Sequence, residues 1–132
     1  WEWTVAYHYA SIKFDDYVLK DKNLSGNFLP GIPQQQINTS VQFDFSQSWG
    51  SALQTQYTGS LYADDANQTQ VADYFLANLR IWKSFDTLSF FGGVNNLLDR
   101  AYFDNIRINA YGKRYYEPAP MRNLYLGMNL NF

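Results

Sequence analysis

A chain of 132 residues with a formal charge of −2 and 19% aromatic residues is too neutral for a nucleic-acid module and too apolar to stay disordered. The lack of cysteine excludes a disulfide scaffold and thiolate chemistry without fixing the compartment. No apolar run suits a transmembrane helix, yet a mean hydropathy of −0.40 leaves membrane strands open, because their lipid-facing and lumen-facing residues average out.

From the first residue the side chains alternate with period two. Trp1, Trp3, Val5, Tyr7 and Tyr9 oppose Glu2, Thr4, Ala6 and His8, which predicts a strand. Ile37, Thr39, Val41, Phe43 and Phe45 oppose Asn38, Ser40, Gln42 and Asp44 in a second. Leu53, Thr55, Tyr57, Gly59 and Leu61 predict a third, and Phe75, Ala77, Leu79 and Ile81, set against Leu76, Asn78, Arg80 and Trp82, a fourth. A fifth begins near Leu88 and loses parity at Asn95-Asn96-Leu97-Leu98-Asp99, as a bulge or a strand end would. Gly92-Gly93 within it permits close packing and lacks the context of a phosphate-binding loop. The sixth places Leu124, Leu126, Met128, Leu130 and Phe132 on one face and Asn123, Tyr125, Gly127, Asn129 and Asn131 on the other.

The oily parity of these six segments carries no charge, whereas the other is rich in Asn, Gln, Ser and Thr with few Lys or Glu, as a lumen would be. Gln47–Gly50 and Ser84–Thr87 are short turns; the stretches 15–35, 63–69 and 103–120 are long loops. Short turns on one side and long loops on the other match an all-β, antiparallel transmembrane barrel of the bacterial outer membrane. Trp1, Trp3, Phe45, Trp49, Trp82, Phe85 and Phe132 then fall near the short-turn, periplasmic rim as an aromatic girdle. Six strands cannot close a barrel, the smallest having about eight. Residues 1–132 therefore read as the carboxy-terminal barrel segment of a longer polypeptide.

Specific motifs sharpen this reading. Gly93-Val-Asn-Asn-Leu-Leu-Asp-Arg-Ala-Tyr102, the loop Asn105 to Pro120, Arg122-Asn-Leu-Tyr and a terminal Phe132 resemble the end of TonB-dependent outer-membrane transporters. Asn-Leu-Leu-Asp-Arg-Ala-Tyr is similar to that family's Asn-Leu-Phe-Asp-Lys-x-Tyr pattern, with Leu98 in place of Phe. Leu29-Pro-Gly-Ile-Pro33 resembles its Pro-Gly-Val-Pro loop. The resemblance implies the last six strands of a roughly 22-stranded barrel. It also implies surrounding outer-membrane lipid, the barrel assembly machinery, and a plug and a TonB-contacting segment that this chain lacks. The transported ligand it implies is most often a ferric siderophore, otherwise haem, cobalamin or another nutrient, and no covalent cofactor is implied. The loop before Pro120 looks most like the siderophore-receptor branch.

Within that loop Arg107, Lys113 and Arg114 suit capture of an anionic ferric chelate, and Tyr111, Tyr115 and Tyr116 suit stacking on its surface. The alternative places the tyrosines in an outer aromatic girdle, pairs Arg114 and Glu117 with neighbours, and has Pro118 and Pro120 stiffen the loop. Arg80, on the lumen parity, lines a substrate path or pairs with Asp44 or Glu2. Phe132 resembles the terminal aromatic read by barrel assembly machinery. A single histidine, His8, and no cysteine make a transition-metal site improbable, and no nucleophile–base pair supports an enzyme. Asp15-Asp16 and Asp64-Asp65 read as turn formers. A passive pore and a soluble β-sandwich are the competing classes.

Overall fold

Period-two alternation determines a strand's faces but not its partners, and the computed structural model, which describes residues 1–113 and 116–130, supplies them. In chain order the strands are β1 (Glu2–Tyr9), β2 (Val18–Leu19), β3 (Lys22–Asn23), β4 (Gln35–Asp44), β5 (Trp49–Thr58) and β6 (Leu61–Tyr62). They continue with β7 (Gln70–Val71), β8 (Tyr74–Ser84), β9 (Leu88–Asn95), β10 (Phe103–Ile106), β11 (Tyr116–Pro118) and β12 (Asn123–Leu130). The six long strands form one antiparallel sheet in the order β1-β4-β5-β8-β9-β12, so each pairs with the long strand before it. The short strands pair as hairpins, β2 with β3, β6 with β7 and β10 with β11, inside the three long loops.

Register makes the two faces continuous. One row on the outer face runs Trp3, Val41, Leu53, Leu79, Val94 and Leu124 across all six strands. The adjacent inner row runs Glu2, Gln42, Ala52, Arg80, Gly93 and Tyr125. The outer side chains stand free, Leu126 being 84% exposed. Each such Leu gains about 1.5–3 kcal/mol on leaving water, and an apolar face this continuous is the mark of a membrane or a partner surface. Among the described residues the buried apolar side chains are few, and three of them, Leu24, Ala63 and Val71, lie in the loops.

The structure changes three sequence expectations. β8 runs two residues past Trp82, which puts Lys83 on the outer parity at the short-turn end, so that face is not free of charge. Trp82 faces the polar side, opposite Gly50, and is not part of the outward girdle; parity outweighs its height near the rim. The third strand stops at Thr58 and Leu61 turns into the β6–β7 hairpin, because Ser60 and Leu61 no longer pair with the sheet.

Three inner-face aromatics lie directly across from glycines: Trp82 from Gly50, Phe91 from Gly127, and Tyr125 from Gly93. Without a Cβ, each glycine leaves room for the opposite ring, and the ring shields a backbone that a glycine leaves bare. The parity break after Asn95 is a strand end: Asn96 (φ +51°) and Asp99 (φ +55°) adopt left-handed conformations that fold the chain away from the sheet.

Candidate functional site

All three long loops emerge at the end of the sheet opposite the turns 45–48 and 85–87. Their polar residues bind one another. Asn67 accepts the Phe28 N–H through Oδ1 at 2.7 Å and donates through Nδ2 to the Phe28 carbonyl at 2.9 Å. Tyr17 donates to Asp65 (3.2 Å), Asn27 donates to the Asp65 carbonyl (2.9 Å), and the Asp65 N–H donates to Asn109 Oδ1 (3.0 Å). The Asn109 N–H in turn reaches the carbonyl of Ala63, which is 0% exposed. The first two loops thus form one body, to which the third is fastened at Asn109.

Asp64 and Asp65 serve as turn residues. The Asp64 carboxylate accepts the N–H groups of Gln68 (2.9 Å) and Thr69 (2.7 Å). Burial acts to raise its pKa, but hydrogen bonds from Gln68, Thr69 and Ala66 prevail and hold it below the usual range.

The candidate ligand residues occupy the β10–β11 hairpin. Arg107, just after β10, donates through Nε to Glu117 Oε1 at 2.5 Å and forms an ion pair with it. Glu117 also accepts from Asn105 Nδ2 at 2.9 Å. Hydrogen bonds from Asn105 and then Arg107, with the charge of Arg107, hold the Glu117 carboxyl below its ordinary value. Tyr116 stacks on Phe103 with ring centroids 4.5 Å apart. Tyr111 is 100% exposed in a 3-10 turn, Tyr111–Lys113, where Gly112 takes φ +70°. The side chain of Lys113, and all of Arg114, Tyr115 and Phe132, lie outside the described residues.

Arg80 projects into a polar depression of ≈ 460 Å³ on the inner face, shared with Gln42, Gln54, Asn78, Trp82 and Tyr125. Its guanidinium lies 4.7 Å from the Phe91 ring centroid, and among the described residues it forms no ion pair. The expected pairing with Glu2 or Asp44 is not formed among the described residues. Glu2 lies three strands away in the same row, about 14 Å at ~4.8 Å per strand, and Asp44 is two strands and two residues away.

The sequence reading missed Asn96. This side chain, 3% exposed, accepts the Arg100 N–H at 2.8 Å and donates to the Arg100 carbonyl at 2.8 Å, while its own N–H donates to Asn78 Oδ1 at 2.8 Å. Asp99 Oδ1 accepts the Arg122 N–H at 2.9 Å, tying the turn to the residue before β12. The Asn-Leu-Leu-Asp-Arg motif thus closes a turn, and an asparagine at a parity break was the signal for it.

A two-faced antiparallel sheet with an apolar exterior, a polar interior, short turns at one end and long interlocked loops at the other defines part of a transmembrane β-barrel wall. The family model of the TonB dependent receptor-like β-barrel matches residues 1–97, and the chain belongs to that family. Its members are outer-membrane receptors and transporters. The fold is shared with the ferric-catecholate import receptor Fiu of E. coli K12 in its closed form: 23% identity, TM-score 0.76, 98% of this chain and 19% of that one. It is shared with the siderophore receptor PiuA of Acinetobacter baumannii at 21% identity and TM-score 0.80, over 97% of this chain and 19% of that one. A variant of the ferric enterobactin receptor PfeA of Pseudomonas aeruginosa gives 19% identity and TM-score 0.73, over 98% and 20%. The chain spans about a fifth of the length of these structures.

Proposed function

We propose that this chain is part of the barrel of an outer-membrane, TonB-dependent active transporter that takes up ferric siderophores. The observation that carries the reading is the apolar row that crosses all six strands of a sheet belonging to this receptor family. The siderophore assignment draws support from the ligands named for Fiu, PiuA and PfeA and from the cationic, tyrosine-rich β10–β11 hairpin. In this reading Tyr111, Tyr115 and Tyr116 offer ring surface to the chelate, Lys113 and Arg114 attract it, and Arg80 lines its path inward. The plug and the contact with the TonB complex come from other parts of the receptor, and Phe132 acts in assembly.

Two measurements test the parts of this proposal. In the intact receptor, spin labels at Val41, Leu79 and Leu126 are expected to report lipid, and labels at Gln42, Asn78 and Asn129 a polar interior. Equal water accessibility of the two sets would refute the membrane barrel.

The ion pair gives a second test. Glu117 now offsets the charge of Arg107, so Glu117→Gln is expected to tighten binding of an anionic ferric catecholate about two- to fivefold at low salt. Arg107→Gln, which leaves the Glu117 charge unoffset, is expected to weaken binding by a similar factor. Because the Glu117 pKa is lowered, the pair is complete above the ordinary value of about 4.3 and is lost only as pH falls through the lower folded value. Wild-type affinity should therefore approach that of Glu117→Gln only in acid. Equal affinity of wild type and Glu117→Gln at low salt would return the hairpin to a scaffolding role.

A further inference from the structure

The outer face carries one recess that neither transport nor assembly accounts for. On β9 the outward positions are Leu88, Phe90, Gly92 and Val94, and Gly92 lies between Ile81 of β8 and Leu126 of β12. The missing side chain opens a groove of ≈ 510 Å³, walled by Leu79, Ile81, Phe90, Val94, Leu124 and Leu126. At its short-turn end stands Lys83, the only charged residue on the outer parity of the six long strands among the described residues. Its Nζ lies 4.7 Å from the Trp49 ring centroid and 5.3 Å from that of Phe85. Among the described residues Lys83 has no ion-pair partner, Asp86 of the adjacent turn included.

We propose that this groove holds one anionic phospholipid of the leaflet on the short-turn side, with an acyl chain over Gly92 and the headgroup phosphate on Lys83. The inference rests on the membrane placement proposed above and not on the identity of the transported ligand. Length fits. From Lys83 to Leu79 is four residues, about 13 Å along the strand, and strand tilt reduces this to roughly 10 Å, close to half of an apolar band about 25 Å tall. The groove therefore serves the chains of one leaflet. Charge selects the headgroup: Lys83 is a cation without a protein acceptor, and a headgroup that carries its own ammonium satisfies its phosphate internally, whereas phosphatidylglycerol does not. Trp49, which pairs with Lys83 in register and lines the same groove, carries an indole N–H as a second donor.

The test is native mass spectrometry of the intact receptor, titrated with phosphatidylglycerol and with phosphatidylethanolamine of the same chains. Wild type is expected to retain one phosphatidylglycerol with about a fivefold preference, and Lys83→Gln, a change at an exposed rim, to lose the preference while still inserting in the membrane. Gly92→Ala is expected to reduce retention of both lipids; an added Cβ lies 3.2 Å from the Tyr125 carbonyl oxygen and 3.3 Å from Leu126 Cδ1, contacts relieved by a shift of a few tenths of an ångström, and the yield of folded receptor is measured beside lipid retention. Equal retention of the two lipids by wild type, a preference that survives Lys83→Gln, or lipopolysaccharide in place of phospholipid would each overturn the proposal. In all three outcomes a normal spin-label pattern would leave the barrel reading intact.

Discussion

Replacing Gly93 by valine is expected to lower the yield of folded barrel more than any other single change on the inner face of this sheet. A Cβ at this position would lie 2.4 Å from the Leu79 carbonyl oxygen and 2.5 Å from Tyr125 Oη. Tyr125 can swing aside; the carbonyl cannot, because it belongs to β8, whose spacing from β9 is set near 4.8 Å by the ladder itself. Relief requires the two strands to part locally, so the cost exceeds the about 1–3 kcal/mol typical of overpacking that side chains alone accommodate. Gly50→Val supplies the comparison: the three atoms nearest its Cβ all belong to the Trp82 ring, a side chain that can turn toward the lumen. The measurement is the fraction of intact receptor that resists denaturant after refolding. Gly93→Val at wild-type levels, or a larger loss in Gly50→Val, would show that backbone approach at Gly93 does not limit the sheet.

Asn96→Ala is expected to open the turn that joins β9 to the third loop. Alanine removes both bonds to Arg100 and places a Cβ-bearing residue at φ +51° without the local hydrogen bonding that lets asparagine sit there. Leaving the Arg100 amide groups unpaired costs about 1–3 kcal/mol, and the conformation adds roughly 1 kcal/mol. The loss is local, so hydrogen exchange reads it: the amides of Arg100 and Arg122 should exchange about a hundredfold faster or more, since each 1.4 kcal/mol is about tenfold. Asn96→Gly should recover only the conformational part. Unchanged exchange at Arg100 in Asn96→Ala would show that the turn is held from elsewhere.

Strands were legible here because each face is extreme in composition, so parity alone separated Leu124, Leu126 and Met128 from Asn123, Tyr125 and Asn129. Where the contrast weakened, the reading slipped. Lys83 breaks the oily parity of the fourth segment, so its place on the outer face does not show in the pattern, although a cation over two rings is stable at a rim. The hairpins β2–β3 and β6–β7, with two residues per strand, are too short for any period to show. The pairing of Arg107 with Glu117 depends on how β10 folds onto β11, and the bulge between Phe103 and Asn105 shifts that register by one. The bridge from Asn67 to Phe28 spans 39 residues, and local pattern carries no information about it.

The Gly–aromatic pairs of the inner wall bear on what a barrel can contain. A ring laid across a glycine adds its thickness to the wall, where the same ring standing upright would add its length. Trp82, Phe91 and Tyr125 therefore each take up less of the lumen than upright rings would, without giving up aromatic contact area. The height saved is left open beside Arg80, where Trp82 and Tyr125 border the polar depression, so this wall sets flat aromatic surface next to a polar hollow instead of filling the hollow with rings.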